Sequence, residues 1–379
     1  MMKKKLESII KYPLTVLFAA GVCLIFVLYI VLPDVEFSST ENRFLQGRPG
    51  ISWSSLSDGS FMKKFETYTD EQIPFRTIWI GMKAQSEALL CKNENNSIVL
   101  GADGYLFEKE LAPSKQAGKN VETIIRFAAS EAVGGRNVVT AIAPTASRIY
   151  ADKVPKGMPI TDQSSYEKLM EIASAKQKNI VVTDMVNKLA EHRNEYLYYR
   201  TDHHWTTQGA YYAYEEVCED LGREPVDITQ LERHSIDNFF GTLYAKYKGN
   251  GCTADVIDYY DISVESYSDS DGNVYDGLYD IDAAETYDKY ALFMHGNPGC
   301  GIIRSANCDN GELIVIKDSY ANCLIPFLTY NYGTIITIDP RYMGDSVAQL
   351  AAEHDGADIL ILFNWKQFAE DKHLYKLLK

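Results

Sequence analysis

Leu313-Ile314-Val315-Ile316-Lys317-Asp318-Ser319 runs an apolar stretch straight into a serine. A short continuous apolar run bounded by polar residues fits a strand buried on both faces, as in a parallel sheet covered by helices. Open parallel sheets collect their functional groups beyond the carboxyl ends of strands. Ser319 therefore stands where chemistry is expected, with its own N–H and the following ones available to an oxyanion. The plainer role for a serine at this point is a helix N-cap.

Outward from this run the same pattern recurs. Strands are expected at 137–143, 179–184, 334–338 and 358–363, separated by helices at 121–133, 165–177, 208–221, 320–330 and 346–353. Alternating strands and helices indicate an α/β fold with a mainly parallel sheet. The alternation lapses between about 225 and 305, where Tyr, Asp and Gly dominate and short strands with tight turns are expected, an irregular β-rich insertion. Before the sheet, Phe61, Phe65 and Tyr68 share a helical face that ends ahead of Pro74, and a second helix is expected at 77–90. Residues 97–107 show the alternation and Asp-Gly turn of a hairpin. The expected organisation is a lead-in at 33–117 and a catalytic domain at 118–379.

Thr201-Asp202-His203-His204-Trp205-Thr206 supplies the other half of a possible site. A serine hydrolase needs a His whose Nε2 reaches the hydroxyl and whose Nδ1–H is held by a carboxylate, whatever the order in sequence. In an extended segment residues i and i+2 point the same way, so Asp202 would orient His204 while His203 faces away. A structural loop is the plainer alternative, and a metal site the other chemical one. Yet the 7 His form no H-x₃₋₅-H spacing and no HExxH occurs. Neither a metal nor another cofactor is expected. Ser268-Asp269-Ser270-Asp271-Gly272-Asn273 fails the register of a calcium loop and is a polar turn. Arg341, after the strand at 334–338, is expected on the same edge as Ser319, as a substrate or oxyanion contact or in a structural ion pair; Tyr320 and Trp205 are further candidates there, the latter for stacking on sugar.

Residues 13–32 carry no charge and follow Lys3, Lys4, Lys5 and Lys11. The run is long enough to span a bilayer, and Val31-Leu32-Pro33-Asp34 offers no small-x-small cleavage site. An uncleaved anchor is expected, with residues 1–12 cytoplasmic and everything after about 33 outside. Those first twelve residues carry +3 of a whole-chain charge of −15, leaving −18 for the rest. So acidic an exterior excludes nucleic-acid binding and repels polyanions, favouring a neutral or weakly charged substrate. Of the 7 Cys, Cys23 lies in the apolar run; a Cys300–Cys308 bridge and free thiols are both open.

The anchor, Glu41-Asn42-Arg43, the segment 70–76, the segment 101–107, Asp202-His203-His204-Trp205-Thr206 and Asp318-Ser319-Tyr320 together resemble the DHHW protein family. That family is similar to the alginate acetylation proteins of the AlgX and AlgJ type, within the SGNH-hydrolase-like superfamily. The resemblance implies an α/β/α sandwich acting outside the cytoplasmic membrane on a polysaccharide by acyl transfer. It maps acid, base and nucleophile onto Asp202, His204 and Ser319. It also implies a glycan acceptor, and an acetyl donor delivered by a membrane acyl-transfer protein. The chain departs from ordinary SGNH enzymes in having Lys317 where Gly precedes the Asp-Ser pair.

Overall fold

The computed structural model describes residues 12–38, 43–90, 92–109, 115–130, 133–158, 164–344 and 346–379. Most of the basic flank at 1–12, and Glu41 and Asn42 of the resemblance, lie outside the described residues. Two compact units divide at Lys92 and Asn93.

In the first unit a helix spans Pro13–Val31, opened by Pro13 and without a buried residue. Among the described residues it alone is long and apolar enough to cross a membrane, with a mean hydropathy of 2.8. Helices Ser60–Glu71 and Arg76–Leu89 follow, parted at Pro74. Proline's ring disfavours a helical conformation in the residue before it. The Tyr68 hydroxyl donates to Asp34 Oδ1 at 2.9 Å, tying the first of these helices to the segment leaving the apolar one.

The second unit is built on one eight-stranded sheet. Thr334–Ile338, Glu312–Lys317, Asp358–Asn364, Val138–Ala143 and Ile180–Val182 lie side by side in parallel. Side chains alternate across a strand, and here both faces are apolar. Leu313, Val315, Leu360 and Leu362 enter one core; Ile314, Ile316, Ile359 and Ile361 enter the other. Each such fully buried side chain contributes about 1.5–3 kcal/mol, which is why an unbroken apolar run chooses the middle of this sheet.

The insertion corrects one expectation. Cys300–Ser305 pairs antiparallel with Thr334–Ile338, and Val264–Asp269 and Val274–Tyr275 extend the sheet beyond it. The sheet is therefore mixed. Arg233–Phe239 and Asp255–Tyr260 form a separate ribbon. A second correction follows Ser319, where a 3₁₀ turn, Ser319–Cys323, precedes a short helix, Ile325–Leu328, in place of one helix to 330. Pro326 has no N–H to continue an α-helical ladder from Asn322. The hairpin at Ile98–Leu100 and Leu106–Glu108 turns through Asp103 and Gly104, both at positive φ. It belongs to the sheet unit, packing Ile98 and Leu106 on Leu243 and Tyr247. Cys300 and Cys308 are not bridged to one another.

Candidate active site

The strand Glu312–Lys317 has a parallel neighbour on each side and delivers Ser319 at its carboxyl end. The cap of the following turn is Asp318, whose Oδ1 accepts from Tyr320 N–H at 2.9 Å. Its Oδ2 accepts from Asn364 N–H at 2.8 Å, on the adjacent strand's end. Burial raises the Asp318 carboxyl above its ordinary range, against the two N–H groups that favour the charged form. With the capping role taken by Asp318, the half-buried Ser319 hydroxyl is directed instead to His204, its Oγ 2.8 Å from Nε2. The Tyr320 N–H is thereby committed, contrary to the expectation that it is free for an oxyanion. Ser319 N–H stands at the first position of the turn, where backbone donors have no partner within it.

Asp202 and His204 meet by a route other than the extended one expected. Residues 200–204 form a bend, and Asp202 Oδ1 accepts both His204 N–H, at 3.0 Å, and His204 Nδ1–H, at 2.6 Å. The first of these is the Asx turn that Asp favours. A carboxylate at Nδ1 keeps the proton there and leaves Nε2 as the acceptor for the serine hydroxyl. Asp202 Oδ2 accepts from Thr242 N–H at 2.7 Å and from Thr242 Oγ1 at 3.0 Å. Burial alone would raise the Asp202 carboxyl. The His203 and His204 rings, with the hydrogen bonds from His204 and Thr242, outweigh it and hold the group well below the usual carboxylate range.

The neighbouring His203 ring is 41% exposed and engages Thr242 Oγ1 at 2.7 Å. Trp205 does not fit the sugar-stacking role, because it is fully buried and its indole N–H donates to Tyr320 O at 2.9 Å. It clamps the two halves of the site together. Tyr320 is also buried, and its hydroxyl donates to the His203 carbonyl. Arg341 forms a bidentate pair with the buried Asp339, at 2.9 and 2.6 Å. That is the ion-pair alternative; its guanidinium is engaged by a carboxylate.

Asp202, His203 and His204 offer ligand atoms within 4.8 Å of one another, as do Glu232, His234 and Asp261 away from the serine, and the first group is the one at this site that would hold a metal. The 2.6 Å between Asp202 Oδ1 and His204 Nδ1 is a hydrogen-bond separation. Two ligands on one tetrahedral zinc stand farther apart, at about 3.3 Å. A cavity of about 60 Å³ borders Asp202, His203, Tyr320, Ser147 and Asn364.

Three contributors escaped sequence reasoning. Thr242 carries half of the Asp202 hydrogen bonds. Gly241 is close-packed, for a Cβ there would lie 2.2 Å from Asp202 Oδ2. Tyr290 stacks on His204 with ring centroids 3.7 Å apart. No spacing marks any of them, and Tyr290 is one of 26 tyrosines.

A family model described as DHHW protein matches residues 80–338. The probable alginate O-acetylase AlgJ of Pseudomonas aeruginosa is 28% identical over 189 residues, 48% of this chain and 47% of that protein. The chain thus spans about half the length of the curated relatives it matches. Among solved structures, a DHHW family protein from Eubacterium siraeum superposes with a TM-score of 0.63 at 25% identity, covering 75% of this chain and 96% of that one. Bacillus cereus PatB1 with a sulfonyl adduct gives a TM-score of 0.59 at 18% identity, covering 74% and 97%.

Proposed function

The chain belongs to the DHHW protein family, and on that premise we propose that it is a serine-dependent O-acetyltransferase that modifies a polysaccharide outside the cytoplasmic membrane, to which the helix Pro13–Val31 anchors it. The observation that carries the reading is the line Ser319–His204–Asp202, with separations of 2.8 and 2.6 Å. The α/β/α sandwich of SGNH hydrolases is the architecture proposed for it, and the name of the AlgJ relatives supports acetyl transfer to a glycan.

Ser319 Oγ attacks the carbonyl carbon of an acetyl ester as His204 Nε2 takes its proton, and Asp202 stabilises the imidazolium formed. Ser319 N–H faces the developing oxyanion. Collapse expels the donor's oxygen, which takes the proton from His204, and leaves an acetyl-enzyme. A glycan hydroxyl then gives its proton to His204 and attacks the ester, restoring Ser319. Water at that step would make the protein an esterase; a bound glycan wins by effective concentration. Alginate is a polyuronate, whereas this chain carries −15 overall. The like charge favours a neutral or weakly charged glycan here. The acetyl donor is passed on by a membrane acyl-transfer protein.

Incubating the full chain with nitrophenyl acetate and neutral or uronate oligosaccharides, then weighing the sugars, tests this. Acetylated neutral oligosaccharide is expected. Free acetate alone, at a rate unaffected by any sugar, would favour the esterase.

A further inference from the structure

Tyr290 lies in the 3₁₀ turn Lys289–Leu292 of the insertion, far in sequence from both halves of the site. Its ring is inclined only 10° to that of His204 at a centroid distance of 3.7 Å, so the two are face to face. Its hydroxyl donates to the backbone carbonyl of Ser319 at 3.2 Å and lies 3.4 Å from Cys323 Sγ. One side chain therefore touches the general base and the backbone of the nucleophile together. Tyr290 is itself 5% exposed, packed on Phe293 at 5.3 Å and edge-on to Tyr199 at 6.4 Å. Burial raises its phenol well above the ordinary range, so the hydroxyl stays a neutral donor.

Asp202 fixes one end of the imidazole, at Nδ1, and the other rings beside it, His203 at 3.9 Å and Tyr320 at 5.1 Å, are inclined to it by 39° and 45°, so Tyr290 alone of the three lies flat against a ring face. A tilt swings Nε2 out of line with the serine hydroxyl. A flat, rigid neighbour against one ring face opposes the motion, and an aromatic face also favours the imidazolium that forms as His204 takes the proton. The hydroxyl tie fixes the serine from the other side. We infer that Tyr290 is a positioning residue of the acyl transfer, keeping His204 Nε2 and Ser319 Oγ in register through the stack and the carbonyl tie together.

The inference rests on the Ser319 reading and is tested in the full chain beside Ser319→Ala. Misplacing a reacting group by about 1 Å costs on the order of 10²-fold in rate. Tyr290→Leu, which removes both contacts, should lower kcat for nitrophenyl acetate by about that factor with KM within roughly twofold. Tyr290→Phe keeps the stack and loses one hydrogen bond, and should leave kcat roughly threefold to tenfold below wild type. The rate at which a sulfonyl fluoride labels Ser319 should fall in the same order. Tyr211→Leu, a similar truncation of a buried ring on the helix Thr207–Asp220, serves as the packing control. Wild-type kcat and labelling in either Tyr290 variant overturns the inference, as does an equal loss in Tyr211→Leu. Should Tyr290→Leu not fold, Tyr290→Phe still decides, since both contacts are claimed. An active Ser319→Ala would instead sink the underlying reading.

Discussion

Asp202→Asn changes one atom's chemistry while keeping the side chain's shape. The carboxylate accepts two hydrogen bonds at each oxygen, from His204 N–H and Nδ1–H on one side and from Thr242 N–H and Oγ1–H on the other. An amide has only one oxygen, so its NH₂ must face one of these pairs. With the NH₂ toward His204, Nδ1 has to become an acceptor, the proton moves to Nε2, and the serine loses its base. With the NH₂ toward Thr242, the threonine hydroxyl can reverse, but its half-buried backbone N–H cannot. Either orientation leaves a backbone N–H without an acceptor, costing about 1–3 kcal/mol of stability. The first also removes turnover, by about 10⁴-fold in a comparable triad. Steady-state hydrolysis of nitrophenyl acetate, measured with a urea titration of each protein, separates the two losses. The expectation is a fall in kcat of at least about 10³-fold with KM little changed. An Asn variant within tenfold of wild type would show that turnover does not depend on the negative charge of the Asp202 carboxylate.

Gly241→Ala should drive a methyl group into Asp202, which a Cβ would approach to 2.2 Å. A stability loss of about 1–3 kcal/mol and a fall in kcat are expected together, checked by urea titration and hydrolysis; unchanged kcat would show that the carboxylate can shift harmlessly. Lys317 is fully buried and bonded to Asn322 at 2.7 Å, and burial lowers its ammonium to about 8. Its folded pKa is below its unfolded one, so between about 8 and 10.4 the unfolded chain holds the extra proton and stability rises with pH. The penalty is fully present at pH 7. Lys317→Met should therefore gain relative to wild type at pH 7.5, an advantage that shrinks by about 2 kcal/mol by pH 9.5. Parallel urea-stability curves across that range would contradict this.

Much of the sheet was legible because burial on both faces leaves a plain mark. Leu313 to Ile316 and Ile359 to Phe363 are apolar at every position, since each residue enters one core or the other. Cys300–Ser305 left a weaker mark. Its burial alternates with exposed Ile302 and Arg304, and its polar residues hid a sheet strand inside a Tyr- and Asp-rich region. The Asp-x-His spacing pointed to two residues that do meet in the fold, for a different physical reason, because an Asx turn brings i and i+2 together as an extended strand would. Thr242 and Tyr290 act across long stretches of chain, and such contacts have no periodicity to read. Trp205 next to two histidines invited a binding role, but its burial and its bond to Tyr320 make it a strut.

The nucleophile itself is the most direct point of test. Acid-quenching the full chain during turnover of nitrophenyl acetate and mapping the digest by mass should find one acetyl group on the peptide containing Ser319. The adduct and the turnover should both be absent in Ser319→Ala. Wild-type turnover by Ser319→Ala, or an acetyl group on another residue with Ser319 unmodified, would contradict the account.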